Sequence, residues 1–249
     1  MNIFAYDSKL VHILNRLTDL MLLNILTIIG MIPLFCLVMI FAGLLAVTPV
    51  SVFIAALSVF SGTALTALHY CLLKIVRGED AYTFRSFFKA CKVNFKQGSV
   101  IGTLFLLVYG VLLADVRIFR LMQESATEGI LTSTNIMNII CFAAMIFVFM
   151  DFLYAFPLQA RFQNTIRATL KNAFLMAILS FPRTVLMAAV QIAVYVLAYY
   201  FSVQIMPFMI LFGISAPAYL CTMIYSPVLK RFEPEEEIDA DSTDESSRP

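Results

Sequence analysis

The chain has 249 residues, of which 61% are hydrophobic and only 13% charged, and its net charge is +1. Soluble domains average about 25% charged residues, so this composition excludes an ordinary soluble domain and points to a protein embedded in lipid. Net charge says little here; the placement of charge carries the information.

The N-terminal stretch is polar, with mixed charge, up to Asp19. No small-residue cleavage site follows the first apolar run, so the stretch does not read as a cleavable signal. From Leu20 to Leu73 there is no Asp, Glu, Lys or Arg. A spanning helix needs about 20 apolar residues. The run therefore predicts two spans, 20–41 and 50–73, divided where Gly43 and Pro49 punctuate it. A third span is expected at 99–118 and a fourth at 135–156. Beyond Arg183 no charged residue occurs until Lys230. One straight helix of that length would reach about 69 Å, against a hydrocarbon core of about 30 Å. A hairpin turning near Ser202–Pro207 resolves this, with spans at 183–202 and 204–228. The expected fold class is an all-α membrane protein of six transmembrane helices, because uninterrupted apolar runs lack the alternation of a barrel.

Fifteen of the 17 Lys and Arg fall into alternate gaps between these spans, and only Arg117 and Arg120 fall on the other side. The positive-inside rule then places both termini in the cytoplasm of a multi-pass protein. Two of the basic gaps are patterned. Residues 81–97 read AYTFRSFFKACKVNFKQ, with Phe84, Phe87, Phe88, Cys91 and Phe95 at helical spacing and Arg85, Lys89, Lys92 and Lys96 on other faces. Residues 158–181 carry a stripe of Leu158, Phe162, Ile166, Leu170 and Phe174, with Arg161, Arg167 and Lys171 off it. Both predict amphipathic helices at the cytoplasmic face, a surface for anionic inner-leaflet lipids or for a docking partner. Arg85-x-x-x-Lys89 parallels Arg167-x-x-x-Lys171, which suggests a repeated span, basic helix, span unit.

Ionisable or polar groups inside spans are expensive and default to functional candidates. Asp151, His69, Asp19 and Asn24 are the candidates here, and they could converge on one inner-leaflet polar cavity. The competing interpretation is structural: Asp151 pairs with a snorkelling Lys or Arg, and His69 is a hydrogen-bonded packing residue. Gly98-x-x-x-Gly102 and the Ser58, Gly62, Thr66 stripe are expected to let helices approach closely. Five scattered Cys and two His make no metal-binding spacing, and no H-E-x-x-H, G-x-S-x-G or G-x-x-x-x-G-K occurs. No cofactor and no enzymatic activity are expected. The Phe residues of the basic helices form their apolar faces, so nucleic acid is not an expected partner. Residues 233–249 hold eight acidic residues and one Arg. They are expected to form an acidic disordered tail.

The stretch from Leu73 to Gly98 (LKIVRGEDAYTFRSFFKACKVNFKQG) resembles the hallmark of the YesL-like family of bacterial membrane proteins. NRLTDLMLLN at 15–24, FPLQARFQNTIRATLKNA at 156–173, FPRT at 181–184 and Pro217-Ala218-Tyr219 fit the same family. The first hairpin departs from it, with extra residues around 36–58. The resemblance implies a bacterial cell-membrane protein linked to carbohydrate uptake, with a carbohydrate permease or membrane sensor as partner. It supplies no catalytic residue. The expected function is a membrane accessory protein that docks a partner at its cytoplasmic face; the alternative is a small transporter or channel using the polar cavity.

Overall fold

A computed structural model describes residues 9–41, 43, 48–79, 82–124 and 128–232. The acidic tail lies outside the described residues. Every regular element among them is helical: α1 (Lys9–Phe41), α2 (Pro49–Ala56), α3 (Ser61–Arg77), α4 (Thr83–Glu124), α5 (Glu128–Arg161), α6 (Ile166–Leu179), α7 (Phe181–Tyr200), α8 (Ser202–Phe212) and α9 (Ser215–Leu229). A 3₁₀ turn at Leu57–Phe60 joins α2 to α3. Five stretches are long and apolar enough to cross a bilayer: Ile13–Ile40, Pro49–Arg77, Thr83–Gln123, Asn135–Arg161 and Phe181–Tyr200. A sixth is a pair bent by 54°, Gln204–Phe212 with Ser215–Phe232. The chain is an all-α membrane protein.

Two buried clusters organise the bundle. Leu23, Leu68, Leu72, Phe87 and Ala90 join α1, α3 and α4. Ile101, Tyr154, Phe156, Met187 and Tyr225 join α4, α5, α7 and α9. Outward-facing Ile29, Val111, Ile139 and Ile146 are exposed, as expected for side chains that meet lipid tails rather than water.

The α3–α4 hairpin is the tightest packing. Thr63 Oγ1 donates to Phe95 O at 3.2 Å and lies 2.9 Å from Ser99 Oγ. A Cβ built on Gly62 would stand 2.7 Å from Gly102 Cα, and one on Gly102 would stand 2.6 Å from Gly62 Cα. Only glycine at both positions allows the two backbones to approach this closely. The small-residue motifs therefore serve packing within the chain. The α3 helix ends where Gly78 adopts φ 77°, a left-handed cap that glycine takes without steric penalty.

Several boundaries differ from those expected. Residues 83–97 are not a separate surface helix but the first third of α4, which runs 42 residues without a break. Gly98 looked like a boundary, yet an isolated glycine does not stop a helix, and here it is held against Thr63 of α3. The second basic segment is divided between elements. Arg161 ends α5, residues 162–165 form a connection, and Arg167 and Lys171 lie on α6, which Thr165 caps through its side chain to Ala168 N. The two basic units therefore differ in build, contrary to the suggested repeat. The turn before the last span is at Phe201, and that span is broken at Gly213–Ile214.

Candidate functional site

Arg85, Lys89, Lys92 and Lys96 follow one another at intervals of four, three and four residues. At 3.6 residues per turn this places all four within about 60° of one another, in a single stripe along α4. All four are exposed. None has an ion-pair or hydrogen-bond partner among the described residues. Phe84, Phe88 and Phe95 lie alongside the stripe and are also exposed. The opposite face of the same turns, with Phe87 and Ala90, is buried against α1 and α3. An open cavity of 580 Å³ at the inner end of the stripe is lined by Lys92, Val93, Phe95, Lys96 and Gln97.

The 42 residues of α4 extend ~63 Å, about twice a hydrocarbon core. The stripe runs along this axis, because α4 continues unbroken into its apolar half. Exposed unpaired ammonium groups do not lie deep in hydrocarbon, although Lys can snorkel from just inside the boundary. Arg85 stands about 10–16 Å along the axis from Lys92 and Lys96.

Beneath the stripe a buried amide network ties three helices together. Gln159, 2% exposed, donates through Nε2 to Gln97 Oε1 and, at 3.5 Å, to Asn94 Oδ1. Its Oε1 accepts from Thr169 Oγ1 at 3.3 Å, and Gln97 Nε2 donates to Asn164 O at 3.1 Å. The network fixes α4, α5 and α6 at the end of the bundle that carries the basic side chains. Sequence pattern singled out none of these amides as a site, because isolated Gln and Asn residues have no spacing to notice.

The four polar candidates within the spans have separate surroundings. Asn24 is fully buried and bonds the break between α8 and α9: Nδ2 donates to Met209 O (3.2 Å) and Ile210 O (2.8 Å), while Oδ1 accepts from the Ile214 and Ser215 amides at 2.8 Å each. Asp19 accepts from Thr83 Oγ1 at 2.6 Å, which pins the start of α4 to α1. His69 Nδ1 lies 3.1 Å from Tyr225 Oη, which lies 3.0 Å from Thr222 Oγ1. Asp151 lies on α5, and its Oδ1 is buried without a hydrogen-bond partner. No ion pair to Asp151 forms among the described residues. None of the four lines the 580 Å³ cavity or the apolar 400 Å³ one between α7, α8 and α9. The structure does not bring them to one site: three are bonded within the bundle, and Asp151 stands by itself. On α6, Arg167 and Lys171 are exposed, and they form no continuous stripe with Arg161.

Residues 20–116 match the family described as "Protein of unknown function, DUF624". That family includes YesL-like bacterial membrane proteins, so the match agrees with the resemblance drawn from the sequence. The matched segment runs from α1 to Val116 of α4 and takes in the basic stripe and the glycine contact. A search of the curated proteins and of the solved structures finds no match.

Proposed function

We propose that the chain is a six-span accessory protein of the bacterial cell membrane that docks an acidic segment of a membrane partner along α4. The observation that carries this reading is the stripe of four exposed, unpaired cations, about 16 Å long, flanked by exposed phenylalanines. Four like charges in one row repel one another, and an acidic partner relieves that repulsion. Aromatic and Arg side chains are also the residues that anchor protein interfaces. The positive-inside rule places the stripe in the cytoplasm, with both termini there. The YesL-like resemblance makes a carbohydrate permease or membrane sensor the partner class, and carbohydrate uptake the setting. Anionic inner-leaflet headgroups serve the inner end of the stripe, at Lys92 and Lys96.

The test compares the wild type with a variant carrying Arg85→Gln, Lys89→Gln, Lys92→Gln and Lys96→Gln. Both are purified in mild detergent from the native membrane after zero-length crosslinking. The expected result is a crosslink between Lys89, Lys92 or Lys96 and an acidic segment of a membrane protein, lost in the variant while membrane insertion is unchanged. Equal capture by both proteins, or crosslinks only to lipid, overturns the docking role.

A further inference from the structure

We propose that the break between α8 and α9 binds a monovalent alkali cation, held by the carbonyls of residues 211–213 and by Ser215 Oγ. The site is separate from the basic stripe on α4 and goes beyond the docking role.

It follows from where the backbone hydrogen bonds of the break go. In an unbroken helix each carbonyl accepts from the amide four residues on. Here the Ile214 and Ser215 amides turn instead to Asn24 Oδ1, at 2.8 Å each. Ile210 O, which loses the Ile214 amide, is compensated by Asn24 Nδ2 at 2.8 Å. Met209 O keeps the Gly213 amide at 2.9 Å. Leu211 O loses the Ser215 amide and gains no replacement among the described residues. No bond joins the Ala216 amide to Phe212 O. Gly213 O would accept from residue 217, but Pro217 has no N–H. Helical bonding resumes with Ala218 N donating to Ile214 O at 3.2 Å. Three successive carbonyls are therefore left over at the C-terminal end of α8.

A side chain supplies the second, independent observation. Ser215 is 0% exposed, and its Oγ is buried without a hydrogen-bond partner. Other buried hydroxyls of the bundle are tied back to the carbonyl four residues before them: Thr222 Oγ1 donates to Ala218 O and Thr27 Oγ1 to Leu23 O, at 2.7 Å each. Ser215 makes no such bond to Leu211 O, so its hydroxyl adds a fourth oxygen to the three carbonyls.

The chemistry of these groups selects the ligand. Acceptors outnumber donors, since the Ala216 amide is the one main-chain N–H left over against three carbonyls. The C-terminal end of a helix also carries partial negative charge. Both favour a cation over an anion. No Asp or Glu occurs between Arg183 and Lys230, whereas calcium and magnesium sites draw on carboxylates. Neutral carbonyl oxygens instead suit a monovalent ion, whose hydration shell they replace. Lipid offers these groups no bond. The 400 Å³ cavity between α7, α8 and α9 touches Phe212, Gly213, Ala216 and Pro217, so the break is open on one side rather than sealed within the bundle. A cation held there ties the end of α8 to the start of α9 and stiffens the 54° bend between them.

The full chain in detergent is compared in sodium chloride and in choline chloride at equal ionic strength. Choline is too large for the break, so screening is matched and only the small ion differs. Sodium at about ten times its dissociation constant should raise Tm by roughly 3–6 °C over choline. Hydrogen exchange at residues 209–218 should slow about tenfold in sodium, with the far ends of α8 and α9 unchanged. Radioactive sodium should bind saturably, at one ion per chain. Ser215→Ala should lose the sodium-dependent increments, while Ser226→Ala, which removes a hydroxyl about 16 Å further along α9, should keep them. The wild-type comparison does not depend on how either variant folds. Equal Tm and equal exchange in sodium and choline mean that water alone satisfies the break, and this overturns the site. A sodium effect that persists undiminished in a folded Ser215→Ala protein places the ion elsewhere and overturns it as well.

Discussion

Asn24 Oδ1 accepts the Ile214 amide at 2.8 Å, across 190 residues of sequence. The same side chain serves Met209 O, Ile210 O and the Ser215 amide. A helix broken inside a membrane exposes backbone groups that lipid cannot satisfy, and one amide of α1 supplies both the donors and the acceptor for four of them. Asn24→Ala strands the Ile210 carbonyl and the Ile214 and Ser215 amides, while Met209 O keeps its bond from the Gly213 amide. Each unsatisfied buried group costs about 1–3 kcal/mol, less where local rearrangement recovers a bond. A loss of about 3 kcal/mol is expected, which lowers Tm by roughly 6–12 °C for a chain of this size. Asn24→Asp keeps the acceptor but sets a carboxylate oxygen against the Met209 and Ile210 carbonyls and buries a charge, so its effect should be at least as large. Thermal unfolding in detergent checks the ranking; an unchanged Tm for Asn24→Ala would show that the break is satisfied in some other way.

The Gly62–Gly102 contact predicts a position-specific response to an added methyl group. Gly62→Ala and Gly102→Ala must push α3 and α4 apart, because the obstructing atoms are backbone rather than flexible side chain. Overpacking of this kind costs about 1–3 kcal/mol. Gly110→Ala, on the same helix with nothing within 4 Å, should be neutral or stabilising by up to about 1 kcal/mol through helix propensity. Equal unfolding temperatures for Gly102→Ala and Gly110→Ala would contradict the close approach.

Gln159 predicts a local rather than a global effect. Gln159→Leu fits the volume but leaves Gln97 Oε1 and Thr169 Oγ1 without their shared partner. A half-satisfied buried network is worse than an apolar core. Since α6 is tied to α4 and α5 at this point, hydrogen exchange should quicken at residues 162–179 by roughly tenfold, for a local loss of about 1.4 kcal/mol. Exchange at the Asn24 break, which shares no partner with the network, should not change.

The membrane class and the apolar stretches were legible because burial in lipid demands long uncharged runs, and such runs survive any detail of packing. The α4 stripe was also legible: the four-three-four spacing of Arg85, Lys89, Lys92 and Lys96 already places them on one face. The direction of that stripe was not. Composition switches at Gly98 from basic to apolar, which resembles a boundary between a surface helix and a span, yet backbone hydrogen bonding continues through it regardless of what the side chains meet. Asn24 stood out as a polar residue in a span, but its partners are backbone groups near residue 210, and no local pattern encodes a contact over that distance. The amide network escaped notice for the same reason, since Gln97, Gln159 and Thr169 become neighbours only once three helices are packed.

Asp151 separates a structural from a transport role most directly. An Asp near the centre of a membrane helix costs about 2.5–3.5 kcal/mol on insertion scales, and here Oδ1 finds no donor within the bundle. Asp19 and Asn24 hold their surroundings together through bonds they make; Asp151 makes none that would be lost through Oδ1. Asp151→Asn removes the charge at nearly constant volume, so stability should rise by about 1 kcal/mol, or roughly 2–4 °C in Tm. A structural ion pair predicts the opposite sign, because breaking one leaves a buried charge uncompensated. A transport role predicts a third outcome: solute flux in vesicles reconstituted with the wild type, abolished in the variant. The docking role expects a higher Tm for Asp151→Asn, no flux from either protein, and unchanged crosslinking at Lys89 and Lys92. Wild-type flux that disappears with the Asp151 carboxylate would move the function from the basic end of α4 into the span.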